Sequence, residues 1–273
     1  MLRFSGRGVT NTGLVREHNE DAAFVGPYLA LVADGVGGAA AGEIAAATTA
    51  YVVAATALAH LRGGAFDVAP QRLLQDAAEA ARANLVAGVA VDERRRGMAT
   101  TLSAVVCDGR RVVLGHVGDS RVYLYREARL RQLSHDHTWV QKLLDEGRIT
   151  TEVAARHPWR NVVVRSLDGS GVMPVDLDLV EVEVLEGDRL LLCSDGLTDL
   201  VGPEGLAAAL ALPDPAEAAE ELEQRALAAG GHDNVTCLVL DLVHGPVVVG
   251  DGQLLGAVAD PANIVDPAAV HLV

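Results

Sequence analysis

Lysine is almost missing from this chain: Lys142 stands alone, and arginine carries nearly all the positive charge. That bias points to GC-rich coding and says little about mechanism. Basic charge is short as a whole, with 22 Lys and Arg against 37 Asp and Glu and a formal net charge of −15. A nucleic-acid partner is therefore not expected, because phosphate backbones select basic faces. Cysteine is sparse too. Cys107, Cys193 and Cys237 lie far apart, each inside an apolar run, without metal-ligand spacing; they read as buried reduced thiols. The N-terminus, with Arg3 and Arg7 and no apolar core, is not a signal peptide. One stretch, Ile44 to Leu61, runs 18 residues without a formal charge, yet it is mostly Ala and Thr and is closed by Glu43 and Arg62. It reads as a buried helix of a soluble protein, so no membrane span and a cytoplasmic location are expected.

What is present is enough for a sizeable core, since half of the 273 residues are hydrophobic. Strand signals fall at Tyr28–Ala33, Leu102–Cys107, Val112–Val117, Val122–Arg126, Val180–Leu185, Arg189–Cys193 and Val235–Leu242. Asp108-Gly109 is a hairpin turn signal between the second and third, and such short connections predict mainly antiparallel pairing. Helical spacing predicts helices over Gly42–Leu61, Pro70–Val91 and Thr138–Glu146. A further helix starts at Asp214-Pro215-Ala216-Glu217, with Asp as N-cap and Pro first, and stops at Gly230-Gly231. Strands and helices come in blocks, which favours sheet layers flanked by helices. From residue 244 the texture changes, so 1–243 reads as one domain and 244–273 as a C-terminal tail or linker.

Four acidic points stand where an apolar run meets a turn: Asn19-Glu20-Asp21, Asp34-Gly35-Val36-Gly37-Gly38, Ser194-Asp195-Gly196 and His232-Asp233-Asn234. A carboxylate at a strand end projects from a rigid scaffold into a shared opening. Clustered oxygen ligands without a matching His or Cys set favour Mg or Mn over Zn. Two such ions would neutralise the mutual repulsion of four aspartates and leave a centre that accepts an anion. Asp-Gly is a common turn dipeptide; taken singly, each of these sites is more often a turn than a ligand, and composition does not bring the four together.

Read in order, the motifs resemble the type 2C, metal-dependent Ser/Thr protein phosphatases (the PPM family) in their compact bacterial, actinobacterial form. The residues carrying this are Arg16-x-x-Asn19-Glu20-Asp21, Ala33-Asp34-Gly35-x-Gly37-Gly38 with Gly42-Glu43, Thr100-Thr101-Leu102, Val117-Gly118-Asp119-Ser120-Arg121, Cys193-Ser194-Asp195-Gly196-Leu197-Thr198-Asp199 and Gly231-His232-Asp233-Asn234-Val235-Thr236. The resemblance implies an α+β fold, a four-layer αββα sandwich of two mainly antiparallel sheets flanked by helices. It also implies hydrolysis of phosphoserine and phosphothreonine in proteins by a hydroxide bridging two Mn or Mg ions. Asp21, Asp34, Asp195, Asp233 and the carbonyl of Gly35 would hold those ions, Asp119 would help hold a weaker third, and Arg16 would bind the substrate phosphate. Phosphorylated proteins, Ser/Thr kinases among them, would be the partners. Glu20 would orient water, and Asp199 reads as a helix cap.

Two features qualify that expectation. Family members often carry His after the second Gly of the Asp-Gly-x-Gly-Gly stretch, and here Ala39 stands there; His116, His135, His137 and His157 are not marked by position as replacements. The segment from His135 to Gly171 corresponds to a mobile flap, with Trp139, Arg148, Trp159, Arg160 and Arg165 as contact groups, although the tryptophans could instead pack a helix onto the sheet. The competing readings are a non-catalytic metal-binding regulatory module on the same fold and a phosphomonoesterase for small molecules. Retention of Asp195 and Asp233 weighs against the first.

Overall fold

The computed structural model describes residues 1–36, 41–172, 174–248 and 252–268. Two antiparallel sheets face each other. In the first, strand order is β1 (Leu2–Asn11), β10 (Val235–His244), β9 (Arg189–Cys193), β6 (Arg121–Arg126) and β7 (Arg129–Gln132). In the second it is β8 (Asp178–Val182), β5 (Val112–Val117), β4 (Leu102–Cys107), β3 (Leu29–Asp34), β2 (Asp21–Val25) and β11 (Gln253–Gly256). Every pairing in both is antiparallel, and short turns join β2 to β3, β4 to β5 and β6 to β7.

Three apolar layers hold this arrangement. Leu2, Phe4, Val32, Leu114, Leu190 and Leu240 fill the space between the sheets. The outer face of the second sheet is covered by α1 (Gly42–Ala59) and α2 (Pro70–Val91), packed through Ala45, Ala46, Ala50, Leu73 and Leu85. The short helices α3 (Trp139–Asp145) and α4 (Thr151–Ala154) follow β7, and α5 (Asp195–Thr198) follows β9. The outer face of the first sheet is covered by α6 (Pro203–Leu210) and α7 (Pro215–Ala228). The result is the expected αββα sandwich. Small side chains let α1 lie close on the strands. It is the one helix among the described residues long and apolar enough to cross a membrane, and 61% of it is buried in the fold. The three cysteines are free and buried.

Local chemistry accounts for the helix starts. Pro70 and Pro215 open α2 and α7, and the Asp214 side chain accepts the Ala216 N–H at 2.8 Å. Beyond His244, where a tail is expected from sequence, β11 adds to the edge of β2. Short helical turns at Ala257–Ala259 and Pro261–Asn263 follow, with Ala257 and Val258 buried.

One buried cation ties the first sheet to its helices. The Arg189 guanidinium meets both carboxylate oxygens of Asp241, at 2.5 and 2.9 Å, and donates to the carbonyls of Leu210, Leu212 and Pro213 after α6. A lysine would keep the charge but not the planar fork. Arg189→Lys is expected to lower unfolding stability by about 2 kcal/mol, read from urea midpoints at unchanged slope.

Candidate active site

At one end of the sandwich the register of β2 and β3 sets Asp21 opposite Asp34. The Asp21 side chain is fully buried; its Oδ2 accepts the Ser194 hydroxyl at 2.8 Å, while Oδ1 has no hydrogen-bond partner among the described residues. Asp34 closes β3 and is fixed by its backbone. Its N–H donates to Thr101 Oγ1 at 2.9 Å, and its carbonyl accepts from Thr100 Oγ1 at 2.8 Å and Thr101 N–H at 2.9 Å. Gly35 follows where the chain runs against α1: a Cβ there would lie 2.6 Å from the Gly42 carbonyl carbon, so no larger residue fits.

The other sheet supplies the second pair. Asp195 opens the short helix α5 (Asp195–Thr198) after β9, and Asp233 precedes β10. Asn234 staples this side to the first. Its side-chain amide donates to the carbonyls of Thr12 and His18, both at 2.9 Å, and its oxygen accepts the Glu20 N–H at 2.8 Å. Arg16 rises from the stapled loop and donates to Asp233 Oδ2 at 2.7 Å. Asp119 sits, buried, in the turn between β5 and β6. Behind it His137 accepts the Gly118 N–H at 3.0 Å on Nδ1, which leaves Nε2 to donate to Asp178 at 3.0 Å.

Burial and mutual repulsion dominate the electrostatics. Burial pushes the Asp34 carboxyl well above the usual range, and Asp21, Asp195, Asp119 and Asp233 raise it further. Asp195 is raised in the same way, by burial and then by Asp119 and Asp199. Burial lifts Asp21 to about 6 against the hydroxyls of Thr236 and Ser194, and lifts Asp119 to about 7 with Asp136 adding to it. For Arg16, burial works against the charge, but the hydrogen bond and charge of Asp233 outweigh it and hold the guanidinium above its ordinary value.

Arg16, Asp34, Gly35, Asp119, Asp195 and Asp233 line one cleft of about 260 Å³, and the fully buried Asp21 lies opposite Asp34 across β2 and β3. All seven residues singled out from sequence thus come together. Among the described residues, no three His, Cys, Asp or Glu side chains close tightly enough to cage an ion by themselves. The donor set instead fits Mg or Mn, which combine carboxylates with a backbone carbonyl and water. The unpartnered Asp21 oxygen and the excess of buried negative charge point the same way.

One neighbour of the site carries no sequence signal: Asn161, within the segment 135–171, donates to Asp199 Oδ2 at 2.8 Å and to Asp195 Oδ2 at 3.4 Å, and beside it Arg160 reaches Asp199 at 3.1 Å. Asp199 does take a cap position, the C-cap of α5. Trp159 is 58% exposed, so it packs no helix onto the sheet. Ala39, with Gly37 and Gly38, lies outside the described residues. His116 is buried and donates to the His135 carbonyl at 3.0 Å; burial pushes its pKa to about 4. His135 meets Asp145 at 2.8 Å, and His157 accepts the Trp159 N–H at 3.1 Å. No histidine among the described residues lines the cleft.

Residues 15–229 match the family model described as protein phosphatase 2C. Over 243 residues the chain is 44% identical to the serine/threonine protein phosphatase PstP of Mycobacterium tuberculosis, covering 89% of this chain and 45% of that protein. The chain therefore spans less than half the length of that relative. The serine/threonine phosphatase stp of Listeria monocytogenes is 34% identical over 243 residues, covering 85% of this chain and 93% of that one. The crystal structure of the M. tuberculosis phosphatase PstP/Ppp superposes with a TM-score of 0.81 at 42% identity, covering 89% of this chain and 100% of that one. A structure of the PstP catalytic domain in complex with two manganese ions matches with a TM-score of 0.78 at 42% identity and the same coverage.

Proposed function

This chain belongs to the protein phosphatase 2C family, and from that premise we propose that it hydrolyses phosphoserine and phosphothreonine in proteins with two Mn²⁺ or Mg²⁺ ions. The observation that carries the reading is the single cleft shared by Arg16, Asp34, Gly35, Asp119, Asp195 and Asp233. In it Asp21, Asp34, Asp195, Asp233 and the Gly35 carbonyl are the groups to hold two ions, with Asp119 the place for a weaker third. Such a pair of ions supplies activated water and neutralises charge at phosphorus.

The chain's own residues do the rest. Arg16 is 43% exposed and, among the described residues, commits one hydrogen bond, to Asp233, so most of its five N–H donors remain for two phosphate oxygens. Asp233 holds that guanidinium at the cleft wall. The Asn234 staple and the Thr100–Thr101 bonds fix the carboxylates before substrate arrives, which is preorganisation. Water adds to phosphorus as the bond to the serine or threonine oxygen breaks, and that oxygen takes its proton from solvent in the open cleft. Phosphorylated proteins are the partners, Ser/Thr kinases among them, and the cytoplasm is the place of action, which the three free buried cysteines fit.

The test is hydrolysis of phosphopeptides and of a small aryl phosphate with Mn²⁺, with Mg²⁺ and with chelator. Turnover that vanishes with chelator, and an Arg16→Ala loss of about 100-fold in kcat/KM, are expected. Activity indifferent to chelator would overturn the metal reading. Bound Mn²⁺ without turnover would favour the regulatory module.

A further inference from the structure

The stretch that matches the family ends at residue 229, and the chain goes on to build part of the site's scaffold. Strand β11 pairs with β2 from Gln253↔Val25 to Gly256↔Ala22, so the pairing ends one residue from Asp21. Without it β2 would be the edge of the second sheet. Edge strands leave a row of backbone groups in water and open at low free energy. Here that strand carries a fully buried carboxylate, one oxygen of which has no partner among the described residues.

The segment is fastened along its length. Gly252 lies against the Phe24 ring of β2, where a Cβ would meet Cζ at 2.1 Å. Leu254 packs against the helix-side core, and Leu255 against the core between the sheets. Gly256 has φ +77°, and a Cβ there would stand 2.2 Å from the Asp21 carbonyl oxygen. Only glycine meets both conditions. Further on, Thr48 of α1 accepts the Val265 N–H at 3.1 Å, Asn263 donates to the Ala257 carbonyl at 2.9 Å, and Tyr51 donates to the Pro267 carbonyl at 2.9 Å. A Cβ on Gly88 of α2 would lie 2.7 Å from Val265. The segment thus runs from the Asp21 strand across α1 to α2.

We propose that residues 252–265 are a strap that positions Asp21, so that divalent-metal retention at the site depends on a C-terminal segment outside the family-matching stretch. The strap converts β2 from an edge strand into an interior one, and Gly256 clamps the backbone of Asp21 itself. The proposal rests on the reading of Asp21 as a metal-site carboxylate, and the experiment separates the two.

Gly256→Val in the full chain places a branched side chain against the Asp21 carbonyl in a backbone conformation it does not adopt, and should undock β11. Mn²⁺ titration calorimetry is expected to show binding weakened by about 10-fold, the scale of losing a group that supports a metal ligand. Hydrogen exchange is expected to quicken at amides 22–25 and stay unchanged at 189–193 in the other sheet. Leu254→Ala, a milder loosening, should move both readouts in the same direction if Gly256→Val does not fold. Unchanged Mn²⁺ affinity, or exchange that quickens equally in both sheets, would overturn the proposal. If the unaltered chain takes up no Mn²⁺, the metal-site reading fails, and selective exchange at 22–25 still decides whether the strap holds β2.

Discussion

Asp34→Asn is expected to lower kcat/KM on a phosphopeptide by about three orders of magnitude and, in the metal-free chain, to raise the melting temperature by about 4 °C. The two effects have one cause. Asp34 is the carboxylate most surrounded by others, with Asp21, Asp195, Asp119 and Asp233 all raising its pKa on top of burial. Substituting a neutral isostere removes a ligand, and the paired ions contribute several kcal/mol of charge stabilisation, each 1.36 kcal/mol being about tenfold in rate. The same change removes a buried carboxyl that the fold either protonates or holds charged among repelling neighbours, at a cost in both cases, and relief of about 1–2 kcal/mol moves the midpoint of a domain this size by a few degrees. The amide keeps the shape, and the backbone bonds from Thr100 and Thr101 do not depend on the carboxylate. Sites that trade stability for function behave this way. Calorimetry in chelator decides it: a melting temperature that falls in Asp34→Asn would mean the carboxylate stabilises the fold, and the account of the site as a strained acidic cluster would be wrong.

How far such a site can be read before folding depends on what kind of signal each residue carries. Leu102–Cys107, Val112–Val117, Arg189–Cys193 and Pro70–Val91 match the expected elements end to end because local chemistry bounds them: a turn at Asp108-Gly109, a proline at the helix start. Strand β1 is not legible, since its alternation passes through Gly6 and Gly8 and its partner β10 lies more than 200 residues away. Helix α6 is hidden for a different reason, being a short alanine-rich turn after Gly202-Pro203. Strand β11 sits among Gly, Pro and Val without periodicity, and only the unpaired edge of β2 makes it a strand. Each aspartate is visible as a carboxylate at a turn, whereas their convergence follows from motif order rather than from any spacing. Asn161 is invisible beforehand, and Ser194 and Asn234, though inside quoted motifs, show no role of their own there. They are neutral polar residues whose roles exist only as contacts, such as Asn161 to Asp195 across 34 positions.

Stability should run against the common pH trend when no metal is bound. Asp21 has a folded pKa of about 6 and Asp119 of about 7, against an ordinary 3.8, and Asp34 and Asp195 are raised as well. Below about pH 4 these groups hold their protons whether the chain is folded or not, and their contribution is fully present. As pH rises, the unfolded chain releases them first, so unfolding is favoured until the folded carboxyls ionise in turn. The contribution is therefore lost between about pH 4 and pH 7, near 6 for Asp21 and near 7 for Asp119. Asp178 and Asp145, lowered by Arg165 and His137 and by His135 respectively, act in the opposite sense as pH falls below 4. His116, held at about 4, and His137, both lowered by burial, oppose the carboxyls below about pH 6.5 but are outnumbered by the four raised aspartates. In chelator the melting temperature should be highest near pH 4–5 and drop by several degrees by pH 7.5. Mn²⁺ reverses the slope, because ions compete with protons for the same oxygens: their stabilisation is large at pH 7.5 and small at pH 5. Thermal scans from pH 4 to 8, with chelator and with Mn²⁺, check both halves. A metal-free midpoint that climbs from pH 5 to 7 would mean the carboxylates are already compensated by the protein, and the case for divalent ions as their missing partners would fall with it.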